Sequence, residues 1–243
     1  PHCVAFSHAS HLSGHIQNLK RICQYLHSKG VLSLVDASQS AAHVRIDVKD
    51  IECDFLVASS HKMYGPTGLG ILYARPDLFK SLAQVRSGGG GISSIENGVI
   101  RFKRSPFNLS SGTPHIAGVL GLAAAIEFIL SSYQYSEPIL KALSASLQSI
   151  DLGPSVQVVK SRSVSNSLPI ISILPVDKLF DVDQISQMAS DQGNIMMRSG
   201  YHCAHQYFSK PGGSVGSLRL SAAAYNEESD ISCAFDFLAN SWL

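Results

Sequence analysis

The stretch DFLVASSHKMYGPTG, residues 54–68, decides the fold class. Its first six residues are mostly apolar, which is typical of a strand that is covered on both faces. Gly65-Pro66-Thr67-Gly68 indicates a turn, and the polar residues Ser59 to Lys62 lie between the strand and the turn. Open α/β sheets bind ligands at the carboxyl ends of their strands. The stretch therefore predicts an α/β fold with a ligand site at this strand end.

The segments before and after it repeat the same pattern. Residues 16–29 carry apolar side chains at helical spacing and are followed by Gly30, where a left-handed helix cap is expected. Residues 31–35 form a second buried-strand pattern that ends at Asp36, and residues 69–73 form a third. A strand, a helix and a further strand in this order predict a mostly parallel sheet.

The second half of the chain has a different character. Thr113-Pro114 is typical of a helix start, and the apolar residues that follow predict a buried helix to about Leu130, with a polar turn at residues 131–136. We therefore predict two domains, residues 1–133 as part of a large α/β domain and residues 134–243 as a smaller α+β domain. The smaller domain is expected to contain strands at residues 155–159, 169–174, 195–198 and 217–221 and helices at residues 183–192 and 227–240.

The composition argues against several classes of partner. A net charge of +1 provides no electrostatic reason for binding nucleic acid or a membrane surface. No run approaches the roughly 20 apolar residues of a membrane span. The five cysteines are odd in number and include no C-x-x-C pair, so we predict free thiols in a reducing compartment. Cys3, Cys23, Cys53 and Cys233 lie in strand or helix patterns and are expected to be packing residues.

Lys62 is the strongest catalytic candidate in the first half. A lysine at a strand end, flanked by Ser59 and His61, is suited to a Schiff base with a carbonyl cofactor, and Asp36 at the preceding strand end is suited to a pyridinium nitrogen. The alternative is an ordinary surface lysine beside a helix. In the second half, His202-Cys203 with His205 lacks a fourth metal ligand at usual spacing, so we predict no metal site.

Several sequence blocks resemble the signatures of one family. The chain is similar, over nearly its whole length, to the SufS/NifS-type cysteine desulfurases of the class V aminotransferase superfamily, which are fold type I enzymes that use pyridoxal 5′-phosphate (PLP). The R-x-G-x-H-C-A block points to the SufS-like, group II branch. The matching blocks are VDASQS at residues 35–40, the opening stretch at 54–68, SGTP at 111–114, RSGYHCA at 198–204, and RLS at 219–221 with Tyr225-Asn226.

The resemblance implies PLP as the cofactor and assigns its contacts. Lys62 would form the Schiff base, and Asp36 would pair with the pyridine nitrogen. Gln39 would contact the phenolic oxygen, and Ser59 and His61 would bind the phosphate. The resemblance thus predicts that these five residues form one cofactor site.

Further roles carry over from the same resemblance. Thr113 resembles a threonine that reaches the phosphate of the neighbouring protomer, which implies a homodimer. Arg219 matches the arginine that holds the substrate carboxylate, and Arg198 is expected to bind substrate as well. Cys203 would attack the sulfur of L-cysteine and keep it as a persulfide while alanine leaves, with His202, His205 or Arg198 favouring the thiolate. His11 stands where relatives carry a cofactor-binding asparagine, and we expect it to contact the cofactor.

The sequence departs from the family pattern in places. Besides His11, the residues Gln206 and His115 replace a proline and an asparagine, and the N-terminal part of the family has no counterpart, which indicates a fragment or a processed chain. The resemblance implies a cysteine desulfurase that supplies a sulfur-acceptor protein, as in iron-sulfur cluster assembly, in the cytosol or in an organelle such as a plastid or mitochondrion. The alternatives are a selenocysteine lyase or another class V lyase, and a non-catalytic fragment or scaffold.

Overall fold

The chain forms two compact units. The computed structural model describes residues 1–83, 86–176, 180–209 and 216–241. The first unit comprises Pro1–His8 and Asn18–Ser131, and the second comprises Ala9–Gln17 and Ser132–Leu243. The division predicted from the sequence, residues 1–133 and 134–243, stays a prediction, and it did not anticipate that residues 9–17 lie in the second unit.

A four-stranded sheet forms the centre of the first unit. Its strand order is β1-β2-β3-β4, and β1, β2 and β3 are parallel to each other while β4 is antiparallel to β3. The predicted α/β class and mostly parallel sheet are confirmed. The strands are β1 (Cys3–Ser7), β2 (Leu32–Asp36), β3 (Phe55–Ser59) and β4 (Gly70–Ala74).

The helices α1 (Leu19–Ser28) and α2 (Val48–Ile51) connect β1, β2 and β3, and the helix α3 (Pro76–Phe79) follows β4. Leu19 and Cys23 of α1 pack with Val35 of β2 and Leu56 of β3 in one buried cluster. Gly30 follows α1 with a φ of +66° and donates its N–H to His27 O, so the predicted left-handed cap is confirmed.

A two-stranded hairpin in the first unit was not predicted from the sequence. It consists of β5 (Ile92–Glu96) and β6 (Val99–Phe102), paired in antiparallel fashion. Asn97 and Gly98 connect them with φ values of 52° and 80°. Asn-Gly favours this type of two-residue turn because both residues tolerate positive φ, so the signal was present in the sequence.

The helix predicted to end near Leu130 is much longer. α4 (Ile116–Gln148) has 33 residues and passes through the predicted turn at residues 131–136, with Pro138 inside it. The prediction of its end was wrong because the polar residues 131–136, interpreted as a turn, continue the helix. Here Leu143 and Leu147, each 1% exposed, bury the far half of α4 in the core of the second unit, and this packing stabilises the helix beyond the proline.

The first half of α4 was predicted to be buried, and this was also wrong for its outer face. Leu122 and Ala125 are buried, but Leu120 and Leu130 are 67% and 71% exposed. A window of 18 consecutive residues in α4 has a mean hydropathy of 1.8, and 11% of this window is buried, so by length and composition this helix could cross a membrane. The sequence did not predict such a candidate. A single helix of this kind is weak evidence for a membrane span, since the core helix of a soluble protein can have the same length and apolar composition.

The second unit contains an antiparallel sheet with strand order β7-β8-β10-β9. Its strands are β7 (Val156–Val159), β8 (Ile170–Pro175), β9 (Arg198–Gly200) and β10 (Ser217–Ser221), and its further helices are α5 (Val182–Gly193), α6 (His205–Phe208) and α7 (Glu228–Ser241). The predicted α+β character is confirmed. β9 begins three residues later than predicted, and Ile195 and Met197, which precede it, pack against the core.

Residues 9–17 are fixed to the second unit by backbone hydrogen bonds. Leu168 N donates to Gly14 O at 2.8 Å, and Ile16 N donates to Asn166 O at 2.9 Å. Gly14 has a φ of +70°, and a Cβ at this position would collide with Leu168 O, so only glycine fits. This segment carries His11 into the second unit.

Candidate active site

Five predicted cofactor residues lie at the carboxyl-terminal edge of the first-unit sheet, which is the edge where the parallel strands β2 and β3 end. β2 and β3 are parallel, with Asp36 opposite Val57, so their carboxyl ends meet at the same edge. Asp36 ends β2, and Ser59 ends β3. The structure therefore brings together the strand ends that carry Asp36, Gln39, Ser59, His61 and Lys62.

The turn after β2 is held in place by polar contacts. Ser38 N donates to Asp36 Oδ1 at 2.9 Å, and Ser59 Oγ donates to Ser38 Oγ at 3.2 Å. Ala37 N also donates to Val57 O at 2.8 Å. The second carboxylate oxygen of Asp36 accepts no hydrogen bond from any residue that the structure describes, so it is available to a positively charged ligand group.

Lys62 lies in a tight turn after β3. Ser60 is buried, donates its N–H to Leu69 O at 3.1 Å, and accepts from Met63 N and Gly65 N through its own carbonyl oxygen. Lys62 is exposed, and its amine makes no hydrogen bond or ion pair with the described residues. The backbone is therefore fixed while the amine remains free to react.

The sequence did not predict roles for two histidines near this edge, buried His8 and half-buried His43. His8 follows β1 directly; it donates its N–H to Asp36 O at 2.8 Å, and its Nδ1 lies 2.8 Å from Ser40 Oγ. Burial lowers the pKa of His8 to about 4, and it lowers the pKa of His43 to about 4 as well. Both are therefore neutral near pH 7. The signal for His8 was its position next to the carboxyl end of β1, since Asp36 likewise lies at the carboxyl end of β2.

Thr113 lies in an exposed loop before α4, and α4 begins later than predicted. Its predicted place as the helix cap was wrong, because His115 occupies that position and its Nδ1 accepts from Gly118 N at 3.3 Å. The replacement of asparagine by His115 thus keeps a capping side chain. The loop is tied to the glycine run, since Gly112 N donates to Gly89 O at 2.7 Å.

The second unit carries the predicted thiol. Cys203 follows β9 and is exposed, so it does not lie in a core. All five cysteines are free thiols. Cys23 and Cys53 are buried as predicted, but Cys3 and Cys233 are exposed, so the prediction of packing roles was wrong for these two.

Two arginines face each other beside this loop. Arg219 of β10 pairs in register with Arg198 of β9, and Arg219 Nη1 donates to His11 O at 3.4 Å. Burial lowers the pKa of Arg219, the charge of Arg198 lowers it further, and a negative charge on Cys203 raises it. Arg219 Nε is buried without a partner among the described residues. Like charges opposite each other repel, so this pair is suited to an anion.

His202 differs from the prediction that it supplies positive charge to the thiolate. Its ring is buried, and its Nε2 lies 3.1 Å from Ser217 O. Burial lowers the pKa of His202 to about 4, against the hydrogen bond to Ser217 O, and the neighbouring positive charges lower it further. His202 is therefore neutral near pH 7. The positive charge beside Cys203 comes from the arginines.

Known proteins resemble the chain along most of its length. A profile of the family described as Aminotransferase class-V matches residues 1–233. The chain belongs to this family, and its fold is that of the PLP-dependent transferases of fold type I.

No group of three or more metal-binding side chains occurs in the described parts of the chain.

Individual relatives carry more specific names. The chain is 32% identical over 241 residues to a "Probable cysteine desulfurase" of Haemophilus influenzae, covering 97% of this chain and 53% of the relative. It is 30% identical to "Cysteine desulfurase CsdA" of Escherichia coli, covering 94% of this chain and 55% of the relative. The apo structure of a cysteine desulfurase from Thermococcus onnurineus superposes with a TM-score of 0.88 at 28% identity, covering 99% of this chain and 60% of the other. The chain thus spans about half the length of the curated relatives.

Proposed function

We propose that this chain belongs to a PLP-dependent cysteine desulfurase, which converts L-cysteine to L-alanine and takes the sulfur onto Cys203 as a persulfide. The single observation that carries the proposal is the carboxyl-terminal edge of the first-unit sheet, where a carboxylate oxygen of Asp36 and the amine of Lys62 have no partner among the described residues. The relatives named cysteine desulfurase support the same activity.

The residues at this edge fit PLP. The free oxygen of Asp36 would hold the protonated ring nitrogen, and Gln39 would contact the phenolic oxygen. Ser59 and His61 would bind the phosphate, and Lys62 would hold the aldehyde carbon. When bound, PLP supplies an electron-poor ring that takes up the electrons left when a substrate loses its α-proton. Lys62 Nζ, once released by substrate, would accept that proton.

The second unit would bind the substrate and take its sulfur. Arg219 and Arg198 would hold the substrate carboxylate, which relieves the repulsion between the two guanidinium groups. The Cys203 thiolate would form a bond to the substrate sulfur while the carbon–sulfur bond breaks and its electron pair stays with the carbon. A proton on that carbon then completes alanine. His11, whose carbonyl oxygen accepts from Arg219, would contact the cofactor.

The assembly is part of the same proposal. We assign residues 1–133 to the large PLP-binding domain and residues 134–243 to the small domain that carries the thiol. Thr113, in its exposed loop, would reach the phosphate of a second protomer in a homodimer, which sedimentation would detect. A sulfur-acceptor protein would take up the persulfide, and the five free thiols favour a reducing compartment, in the cytosol or in an organelle.

Cofactor binding tests the role of Lys62. The purified protein is incubated with PLP, reduced with borohydride and digested, and the modified lysine is located by mass spectrometry. We expect the label on Lys62 and its loss in Lys62→Ala, while Lys49→Ala, an exposed lysine of the same unit, keeps it. Labelling spread over many lysines, or none at all, would refute the proposal and favour a non-catalytic scaffold.

Product analysis tests the role of Cys203. With L-cysteine and a thiol reductant, the loaded protein should release alanine and sulfide in equal amounts. Cys203→Ser should keep the PLP label but lose sulfide release, whereas Cys233→Ser, the other exposed cysteine of the second unit, should retain both. Sulfide release by Cys203→Ser at the rate of the unchanged protein would contradict the assignment. Activity with selenocysteine alone would identify a selenocysteine lyase.

A further inference from the structure

The loop that carries the thiol has a strained backbone. His202 and Cys203 have φ values of 48° and 62°, so two consecutive non-glycine residues adopt the left-handed conformation. Such residues persist only where the surrounding structure holds them, and they concentrate at functional sites. Cys203 itself is exposed, so the contacts that hold the loop must come from its neighbours.

His202 provides the anchoring contact. Its ring is 4% exposed, and Nε2 lies 3.1 Å from Ser217 O. A carbonyl oxygen only accepts, so Nε2 carries the proton and donates it. The neutral ring then leaves Nδ1 unprotonated, and Nδ1 is buried without a partner among the described residues. The side chain therefore acts through one directed hydrogen bond.

This hydrogen bond connects the thiol loop to the arginine pair. Ser217 begins β10, two residues before Arg219, and Ser217 lies opposite Gly200 in the β9–β10 register. The two strands approach closely, since a Cβ on Gly216 would lie 3.1 Å from Gly200 Cα. The charge of Cys203 raises the pKa of Arg219, so the thiol lies within electrostatic range of the guanidinium. A contact from His202 to Ser217 thus fixes the thiol relative to β10.

We infer that His202 is a positioning residue whose Nε2–H bond to Ser217 O holds Cys203 beside Arg219, so that the thiol meets a sulfur donor that carries a carboxylate. The inference rests on the proposed function for the identity of that donor. It predicts that Cys203 prefers anionic reagents and that the preference depends on the His202 donor. Arg198 and Arg219 supply the attraction, and neutral His202 supplies only the geometry.

Alkylation of the chain tests this without PLP or turnover. Rates with anionic iodoacetate and neutral iodoacetamide are measured at Cys203 by mass spectrometry, with exposed Cys233 as the reference thiol in the same molecule. We expect the iodoacetate-to-iodoacetamide ratio to be higher at Cys203 than at Cys233, by about three- to five-fold for a screened charge nearby. Arg219→Gln should remove most of the difference.

Three variants separate positioning from general stability. His202→Leu keeps an apolar body without a donor, and His202→Asn tolerates positive φ but is too short to reach Ser217 O. Both should lower the Cys203 ratio to that of Cys233. His202→Gln places an amide donor near the position of Nε2 and should retain most of the preference.

The outcomes separate clearly. A Cys203 ratio that is unchanged in His202→Asn, or equal to that of Cys233 in the unchanged protein, would overturn the inference. If the iodoacetate and iodoacetamide rates at Cys203 rise by the same factor in a His202 variant, the substitution has only loosened the loop. This result would also overturn the inference. Should His202→Leu fail to fold by circular dichroism, His202→Asn and His202→Gln decide. A failure of desulfuration would leave these ratios unaffected, so the two proposals can fail separately.

Discussion

The two units differ in how completely they cover their own apolar residues. In the second unit every residue of β8 is buried, within a core formed by α4, α5, α7 and the sheet. In the first unit the residues of β1 are alternately exposed and half-buried, and the outer face of α4 near Leu120 and Leu130 is exposed. A helix that is apolar on all sides is typical of a buried position. The second unit therefore resembles a closed domain, and the first has apolar surface left over.

The largest effect on the free energy of unfolding should come from a substitution in the core of the second unit. Leu218 of β10 is 0% exposed, and Leu218→Ala should lower the free energy of unfolding by about 4 kcal/mol, from lost burial and the cavity that remains. Urea denaturation monitored by circular dichroism measures this loss of unfolding free energy. Leu120→Ala on the exposed face of α4 is the matched control and should change it by less than about 0.5 kcal/mol. Equal losses in the two variants would remove the contrast between the units.

A smaller loss in the free energy of unfolding should come from removing a buried carboxylate in the first unit. Asp54 is 0% exposed; its Oδ2 accepts from Ser33 N at 2.8 Å and from His27 Nε2 at 2.9 Å, and its Oδ1 lies 2.8 Å from Arg75 Nη1. Asp54→Asn should lower the free energy of unfolding by about 2–3 kcal/mol, because a charged acceptor is lost from this network. Asp77→Asn, an exposed partner of Arg75, is the control and should have little effect.

The same residue predicts a pH dependence. Burial acts to raise the pKa of Asp54, but hydrogen bonds from Ser33 and His27 outweigh it, so the pKa lies below the ordinary value of 3.8. A carboxylate with a lowered pKa stabilises the folded state fully above its unfolded pKa, and this stabilisation is lost as the pH falls through the folded pKa. The difference between the unchanged protein and Asp54→Asn should therefore be constant near neutral pH and shrink below about pH 4. A difference that grows on acidification would refute the role of Asp54.

The smallest effect on stability should come from the exposed face of α4. Leu120→Gln should change the free energy of unfolding by less than about 0.5 kcal/mol, since the side chain is already in contact with solvent. It should also reduce self-association in sedimentation measured over a range of concentrations, because exposed apolar patches promote association. Leu122→Gln, on the buried face of the same helix, should be clearly destabilising. If Leu120→Gln destabilises as much, Leu120 is covered in solution.

Most strands could be predicted because their signals are local. The apolar runs at residues 31–35 and 69–73 and the cap at Gly30 depend on neighbours in the sequence, and the structure confirms them. The course of α4 past Pro138 could not be predicted, because it depends on core contacts of Leu143 and Leu147. The first-unit sheet edge was predictable, since parallel strands place their carboxyl ends together.

The chemical state of the thiol loop was less predictable. Cys203 could be found from its motif. The neutral state of His202, however, depends on burial beside Ser217, which lies 15 residues further along the chain. The pairing of Arg198 with Arg219 likewise depends on strand register. Sequence patterns therefore selected the candidate residues of the second unit, and the tertiary structure determined which of these candidates carry charge.

The placement of residues 9–17 has a consequence for how the molecule is made. Ribosomal synthesis proceeds from the amino end, and Ser172, whose hydroxyl donates to Leu12 O, lies 160 residues beyond it. All of residues 18–131 must emerge before the early segment can find its partners. Contacts so distant along the chain slow folding. The two units therefore cannot be translated, expressed or exchanged between proteins as consecutive modules, and a gene cut at residue 131 would separate the early segment from its binding site.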